Sequence, residues 1–174
     1  MRWLLIVVMF LVAFFTMPWW IPRKAYRTLL YGGRRPNWFT KRLNSANAWV
    51  SGHGIGPSFL VSLETKGRRS GKILKVPMVI AELGSERYLV SMLGEKADWV
   101  LNARAAAGEA TLRHRDAEQV RLEEVPVVER APILKVYLGR APGARPHFDI
   151  GPDSTVEQFA NVAASYPVFR IRPR

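Results

Sequence analysis

The sequence predicts an α+β domain, mainly β, with peripheral helices, set behind an N-terminal transmembrane helix. Three observations carry this expectation. Between residues 59 and 128, short β-branched and apolar stretches alternate with glycine-bearing turns, the pattern of successive strands. Helical signals fall mainly on the flanks of that region, before residue 51 and after residue 129, with one short helix inside it. The first 22 residues contain a long stretch without a single charge.

That stretch is Trp3 to Pro22. Twenty helical residues span about 30 Å, the thickness of a bilayer core. Pro18 and Pro22 place the end of the regular helix near Met17, which leaves Trp19 and Trp20 for an interfacial aromatic belt. A cleaved signal peptide competes, but bulky Trp-Trp-Ile-Pro stands where a small-x-small cleavage site belongs. A buried core helix is the third reading. Arg2 and the terminal amine precede the run, whereas Arg23, Lys24, Arg27, Arg34, Arg35, Lys41 and Arg42 follow it. The positive-inside rule then puts the remainder of the chain on the cytoplasmic side of the cell membrane. The same cations suit anionic lipid headgroups. The organisation is a transmembrane anchor at 1–22, a basic juxtamembrane connector at 23–36 and one folded domain at 37–174. Tyr26 to Tyr31 reads as a short interfacial helix within the connector.

The domain opens with a helix from Asn37 to about Val50, started by Pro36. Trp38, Phe39, Leu43, Ala46, Trp49 and Val50 fall close to one face of it, which reads as core packing. Gly52-His53-Gly54-Ile55-Gly56-Pro57 is a loop. A strand rather than a helix follows these glycines, which is the wrong order for a dinucleotide fingerprint. His53 reads as structural or solvated. The first strand is Phe59 to Leu63.

A turn with a glycine at each end follows: Lys66-Gly67-Arg68-Arg69-Ser70-Gly71. Gly67 and Gly71 tolerate backbone angles that let successive N–H groups face one concavity. The Ser70 hydroxyl and the two guanidinium forks add donors suited to phosphate oxygens. The turn is either an anion clamp or a solvated basic hairpin, and the residues alone weigh the two equally.

Ile73 to Leu83 is the next strand, with Gly84-Ser85-Glu86 turning into Arg87 to Met92. Ala97 to Ala106 is a short helix, broken at Gly108. Its first backbone N–H groups, near Asp98 and Trp99, favour an anion. Ala110 to His114 and Gln119 to Val128 alternate polar and apolar residues around a turn at Asp116, the pattern of a hairpin with one wet face. Glu118, Glu123 and Glu124 read as its solvent-facing acids. Pro132 opens a helix ending near Leu138. Residues 141–152 form a Pro- and Gly-rich loop. Ser154-Thr155-x-Glu157 starts another helix, and Val168 to Ile171 is the last strand.

Composition excludes several chemistries. The 174 residues hold no cysteine, so disulfides, thiolate nucleophiles and cysteine-based metal centres are absent. His53, His114 and His147 have no metal-ligand spacing, and Ser70 is not in a nucleophile elbow. No triad or carboxylate pair stands out, so no catalytic side chain is assigned. With 48% hydrophobic residues the chain folds, and its net charge of +12 calls for an anionic partner. A membrane accounts for much of that charge. No helix-turn-helix, zinc finger or stacking platform argues for nucleic acid.

Thr65-x-Gly67-Arg68-Arg69-Ser70-Gly71, then Pro77-Met78, then the strand Arg87-Tyr88-Leu89-Val90-Ser91, then Asp98-Trp99-x-x-Asn102, taken in this order, resembles the deazaflavin (coenzyme F-420)-dependent nitroreductase and quinone reductase family. The likeness covers roughly residues 37 to 128. It implies a split β-barrel, flavin-reductase-like, and coenzyme F-420 as cofactor, with flavin mononucleotide or haem as less favoured substitutes. It implies that Lys66, Gly67, Arg68, Arg69, Ser70 and Gly71 grip the phosphate and tail. Pro77 would lie near the ring, with Lys75 and Met78 beside it on the strand as further cofactor-binding candidates, although the Lys75 side chain leaves from the face opposite Leu74. Asp98, Trp99 and Asn102 would line the same pocket, although Trp99 reads equally well as core. Relatives often carry cations where Leu74 and Leu93 stand. Tyr137, Phe159 and Tyr166 are the substrate-pocket candidates.

The expected function is therefore hydride transfer from reduced coenzyme F-420 to a small hydrophobic acceptor, a quinone, a nitro compound or a lipid-like molecule. The alternative is a non-enzymatic, membrane-associated split barrel that binds fatty acid or another lipid, and a basic membrane scaffold is a third reading. The sequence leaves the oligomeric state open.

Overall fold

A computed structural model describes residues 38–174, with side chains from Ser45 onward. Strands β1 (Leu60–Lys66), β2 (Ile73–Leu83), β3 (Glu86–Val90), β4 (Glu109–His114), β5 (Asp116–Glu124) and β6 (Val168–Pro173) close into an antiparallel barrel. Their order around it is β1-β2-β3-β6-β5-β4. This is the split barrel implied by the resemblance. Helices α1 (Trp38–Gly52), α2 (Asp98–Ala105), α3 (Arg130–Arg140) and α4 (Val156–Val162) surround it. The expected span at 3–22 and the connector at 23–36 lie outside the described residues. Among the described residues, no helix is long and apolar enough to cross a membrane.

Strand alternation divides the apolar residues between two cores. Val61, Leu63, Met78, Ile80, Leu89, Ala110, Leu112, Val120, Leu122, Phe169 and Ile171 point inward and fill the lumen. Side chains packing the interior are what a barrel this narrow permits. Ala97, Trp99, Val100 and Ala103 bring α2 into the same cluster, so α2 plugs one end of the barrel. The outward residues Ala81, Tyr88, Val90 and Val168 form the second core with Leu134, Tyr137 and Leu138 of α3 and Phe159 of α4.

Several boundaries differ from expectation for local reasons. β1 continues to Lys66, because its ladder with β2 runs on to the pair Lys66–Ile73. β5 begins at Asp116 rather than Gln119, since Arg115 takes a left-handed φ of 67° and tightens the hairpin. It ends at Glu124, ahead of Pro126 and a 3-10 turn over Val127–Glu129. A further 3-10 turn, Pro142–His147, occupies half of the expected loop. Thr155 caps α4 through a reciprocal capping box with Gln158.

The face of α1 is a correction. Of the expected stripe, Trp49 is 60% exposed and Ala46 is also exposed, while Ala48 and Ser51 are buried. Small residues win because the helix lies close on the barrel. A Cβ on Gly52 would already touch Ser62 and Arg113 at 3.5 Å. Trp49 instead stacks on His53 at 4.2 Å, and the His53 Nδ1 lies 2.7 Å from the Trp49 carbonyl.

Glu118, Glu123 and Glu124 reach solvent, but each is ion-paired. Glu118 binds Arg87 across the barrel mouth, Glu123 binds Arg172, and Glu124 holds both Arg104 and Arg130.

Candidate functional site

The β1–β2 ladder delivers the turn at residues 67–72 to the barrel end that α2 plugs. Its conformation depends on its glycines. Gly71 adopts φ +67°, and a Cβ on Gly67 would meet Ser70 Oγ at 2.9 Å and the Lys72 carbonyl at 3.1 Å. Four of the turn's N–H groups are spent holding its shape. Gly67 donates to the Lys72 carbonyl and Gly71 to the Gly67 carbonyl, both at 2.8 Å. Lys72 donates to Ser70 Oγ at 3.3 Å, and Arg68 to Asn102 Oδ1 at 3.2 Å. Among the described residues, the N–H groups of Arg69 and Ser70 have no hydrogen-bond partner.

The two arginines differ. Arg68 folds back onto α2, with its side chain only 24% exposed. Its Nη1 donates to Asn102 Oδ1 at 2.9 Å and to Asp98 Oδ1 at 3.2 Å, and its Nη2 donates to the same Asp98 oxygen at 3.3 Å. Arg69 is exposed and has no partner among the described residues. Lys66, Ser70 and Lys72 are exposed beside it. Lys72 was missed by sequence reasoning, although a cation at the exit of a basic turn was there to be read.

The other expected site residues divide. Lys75 stands on the outer face of β2 and pairs with Glu64 at 3.1 Å, where Arg113 also binds. Leu74 faces the other side, opposite Thr65, and is 36% exposed. Thr65 is buried, and its hydroxyl has no hydrogen-bond partner among the described residues. Pro77, opposite Ser62, is on the outer face with Lys75, while Met78 points into the lumen core. Leu93 packs against that core.

Trp99 lies in the lumen core, 6% exposed and edge-on to Phe169 at 5.3 Å. Asn102 is 2% exposed and gives the turn its amide oxygen. The first turn of α2 carries its own anion, Asp98, so the helix N-terminus is already served by a carboxylate. Tyr137, Phe159 and Tyr166, the expected substrate-pocket residues, are buried in the second core. Tyr166 stacks on Phe148 at 4.0 Å and donates its hydroxyl to the His147 carbonyl at 2.9 Å.

The site is thus a rigid cationic turn with two free N–H groups at the plugged end of a six-stranded barrel. It suits a phosphorylated or carboxylated tail. Among the described residues, no group of three His, Asp or Glu could hold a metal ion.

Comparison with known proteins places this arrangement. The family model for the F420H(2)-dependent quinone reductases matches residues 35–133, which include α2, the turn and five of the six strands. The chain belongs to the F420H(2)-dependent quinone reductase family. It is an oxidoreductase, and its cofactor is coenzyme F420. No curated protein matches it significantly.

Solved structures of similar shape include an F420-H2 dependent reductase, FDR-A. It has 19% identity, a TM-score of 0.45, and coverage of 66% of this chain and 94% of that one. A second is an F420 reductase with 14% identity, a TM-score of 0.41, and coverage of 72% and 91%. A third is a haem-binding protein from Mycobacterium smegmatis, with 13% identity, a TM-score of 0.46, and coverage of 80% and 52%. No residue role is taken from them.

Proposed function

We propose that the chain reduces a hydrophobic acceptor of the quinone, nitro-compound or lipid-like class, with the anionic part of the coenzyme seated on the turn between β1 and β2. The observation that carries this reading is a single turn that holds three exposed cations, Lys66, Arg69 and Lys72, together with the unbonded N–H groups of Arg69 and Ser70. When bound, the deazaflavin supplies the hydride. The chain's own residues bind and orient, and charge-assisted donors suit the oxygens of the coenzyme tail.

The test is oxidation of the reduced coenzyme by a short-chain quinone, followed by absorbance with the purified full chain in detergent. Arg69→Ala should weaken coenzyme binding by about 2 kcal/mol, one charge-assisted contact. Its thermal midpoint should hardly move, because exposed cations contribute little to stability. Unchanged affinity in Arg69→Ala would return the turn to a solvated hairpin.

The lipid-carrier reading asks for room in the barrel. The lumen is filled by Leu63, Leu89, Val100, Leu112 and Val120, each 2% exposed or less, so the enzyme reading is preferred.

The same proposal holds the domain at the cytoplasmic face of a membrane through residues 3–22, on the strength of their uncharged run and the cations that follow. The chain should stay with membranes through a high-salt wash, and a C-terminal reporter should be active in the cytoplasm. Release by salt alone would overturn the anchor.

A further inference from the structure

We propose that Arg68 is the positioning residue of this site and not one of its grips: it ties the turn to α2, and the anion contacts fall to Arg69, Lys66, Lys72 and the free N–H groups. This rests on the reading that the turn seats the coenzyme.

Asn102 Oδ1 accepts both from the Arg68 backbone N–H and from its guanidinium, at 3.2 and 2.9 Å. One oxygen therefore reads the position of the turn's backbone and of its side chain together. Asn102 is nearly inaccessible, so replacing the Arg68 side chain leaves its buried oxygen with the backbone N–H alone, at 3.2 Å. Asp98 takes the end of the fork, through Nη1 and Nη2, which leaves only Nε and one Nη2 hydrogen uncommitted. A guanidinium engaged by a carboxylate and a buried amide has few donors left for a phosphate. The adjacent Asp98 charge, 57% exposed, would moreover repel an anion arriving at Arg68.

Arg69, one residue along, has the opposite character: exposed, and without a partner among the described residues. The paired arginines of the turn therefore divide the work, the first facing inward to fix geometry and the second facing outward to bind.

The direction of one substitution separates positioning from gripping. If Arg68 grips the coenzyme, Asp98→Asn frees its guanidinium and removes a repulsive charge, so affinity should rise. If Arg68 positions the turn, Asp98→Asn loosens the tie and affinity should fall. We expect a fall of about fivefold for Asp98→Asn and of tenfold or so for Arg68→Lys, which keeps the charge and loses the fork. The double variant should be little worse than Arg68→Lys alone, because both changes break the same tie.

Affinity would be read from quenching of the oxidised coenzyme's fluorescence on the full chain. Hydrogen exchange of residues 66–72 without coenzyme is the independent readout, and both single variants should speed it. Tighter binding by Asp98→Asn, or unchanged exchange in Arg68→Lys, overturns the positioning role. A parent chain that does not bind the coenzyme at all overturns the functional reading, and this role with it.

Discussion

Replacing Gly108 by alanine is expected to destabilise the domain by about 3 kcal/mol, far more than one added methyl group usually costs. Gly108 sits just beyond α2 at φ +84°, a conformation that side chains rarely tolerate. Its N–H closes the helix on the Ala103 carbonyl at 2.8 Å, and its own carbonyl accepts from Leu122 N at 2.8 Å. A Cβ there would lie 2.4 Å from the Leu122 carbonyl oxygen. That neighbour is backbone of a central strand and has no rotamer with which to move away. The substitution must therefore shift either α2 or β5, both part of the lumen core. Urea unfolding would show it as a lower midpoint at unchanged slope. A loss below about 1 kcal/mol would mean that the turn relaxes freely.

Arg130→Met should cost a similar amount, about 3 kcal/mol, for a different reason. Arg130 is 4% exposed at the start of α3. It donates to the carbonyls of Val125 at 2.8 Å, Ala163 at 3.5 Å and Tyr166 at 3.4 Å, and to Glu124 at 3.0 Å. Methionine fills much of the volume but takes the guanidinium donor from the Val125 and Tyr166 carbonyls, while Ala163 keeps the Tyr166 N–H and Glu124 keeps Arg104.

The variant also carries a pH signature. The Arg104 guanidinium hydrogen-bonded to Glu124 is the main influence holding that carboxyl below its ordinary 4.5, and Arg130 adds to it against the opposing effect of burial. A carboxyl depressed in the folded state contributes stability that is fully present above 4.5 and is lost as pH falls through its folded value. Removing Arg130 moves Glu124 back towards its ordinary value, so this acid-dependent part should shrink. Thermal midpoints taken from about pH 6 to about pH 3 should fall less steeply in Arg130→Met than in the parent. An equal or steeper fall would show that Arg104 alone sets the titration.

Much of the barrel was legible because period-two alternation and glycine turns are local signals. β2 spans Ile73–Leu83 as the pattern predicts, and the turn after β1 is where the cations and glycines put it. The differences come from tertiary contact. Periodicity put Trp49 inside, but the close approach of α1 to the barrel selects small residues instead. Arg68 and Arg69 look alike in sequence, and only the fold brings Asp98 and Asn102, 30 and 34 residues further on, against the first of them. The sequence offers Tyr137, Phe159 and Tyr166 as substrate-pocket candidates, whereas the packing of α3 on β2 and β3, and of α4 on α3, places them in the second core.

Helix α2 serves two masters. Its buried side chains are part of the barrel's interior, and Asp98 and Asn102 hold the cationic turn. The turn therefore surrenders its conformational entropy when the chain folds rather than when a ligand arrives. A flexible basic loop would lose that freedom on binding and weaken every contact it made. Here the ordering is shared with the lumen core, so thermal softening of the interior should loosen ligand and fold together, in one cooperative step.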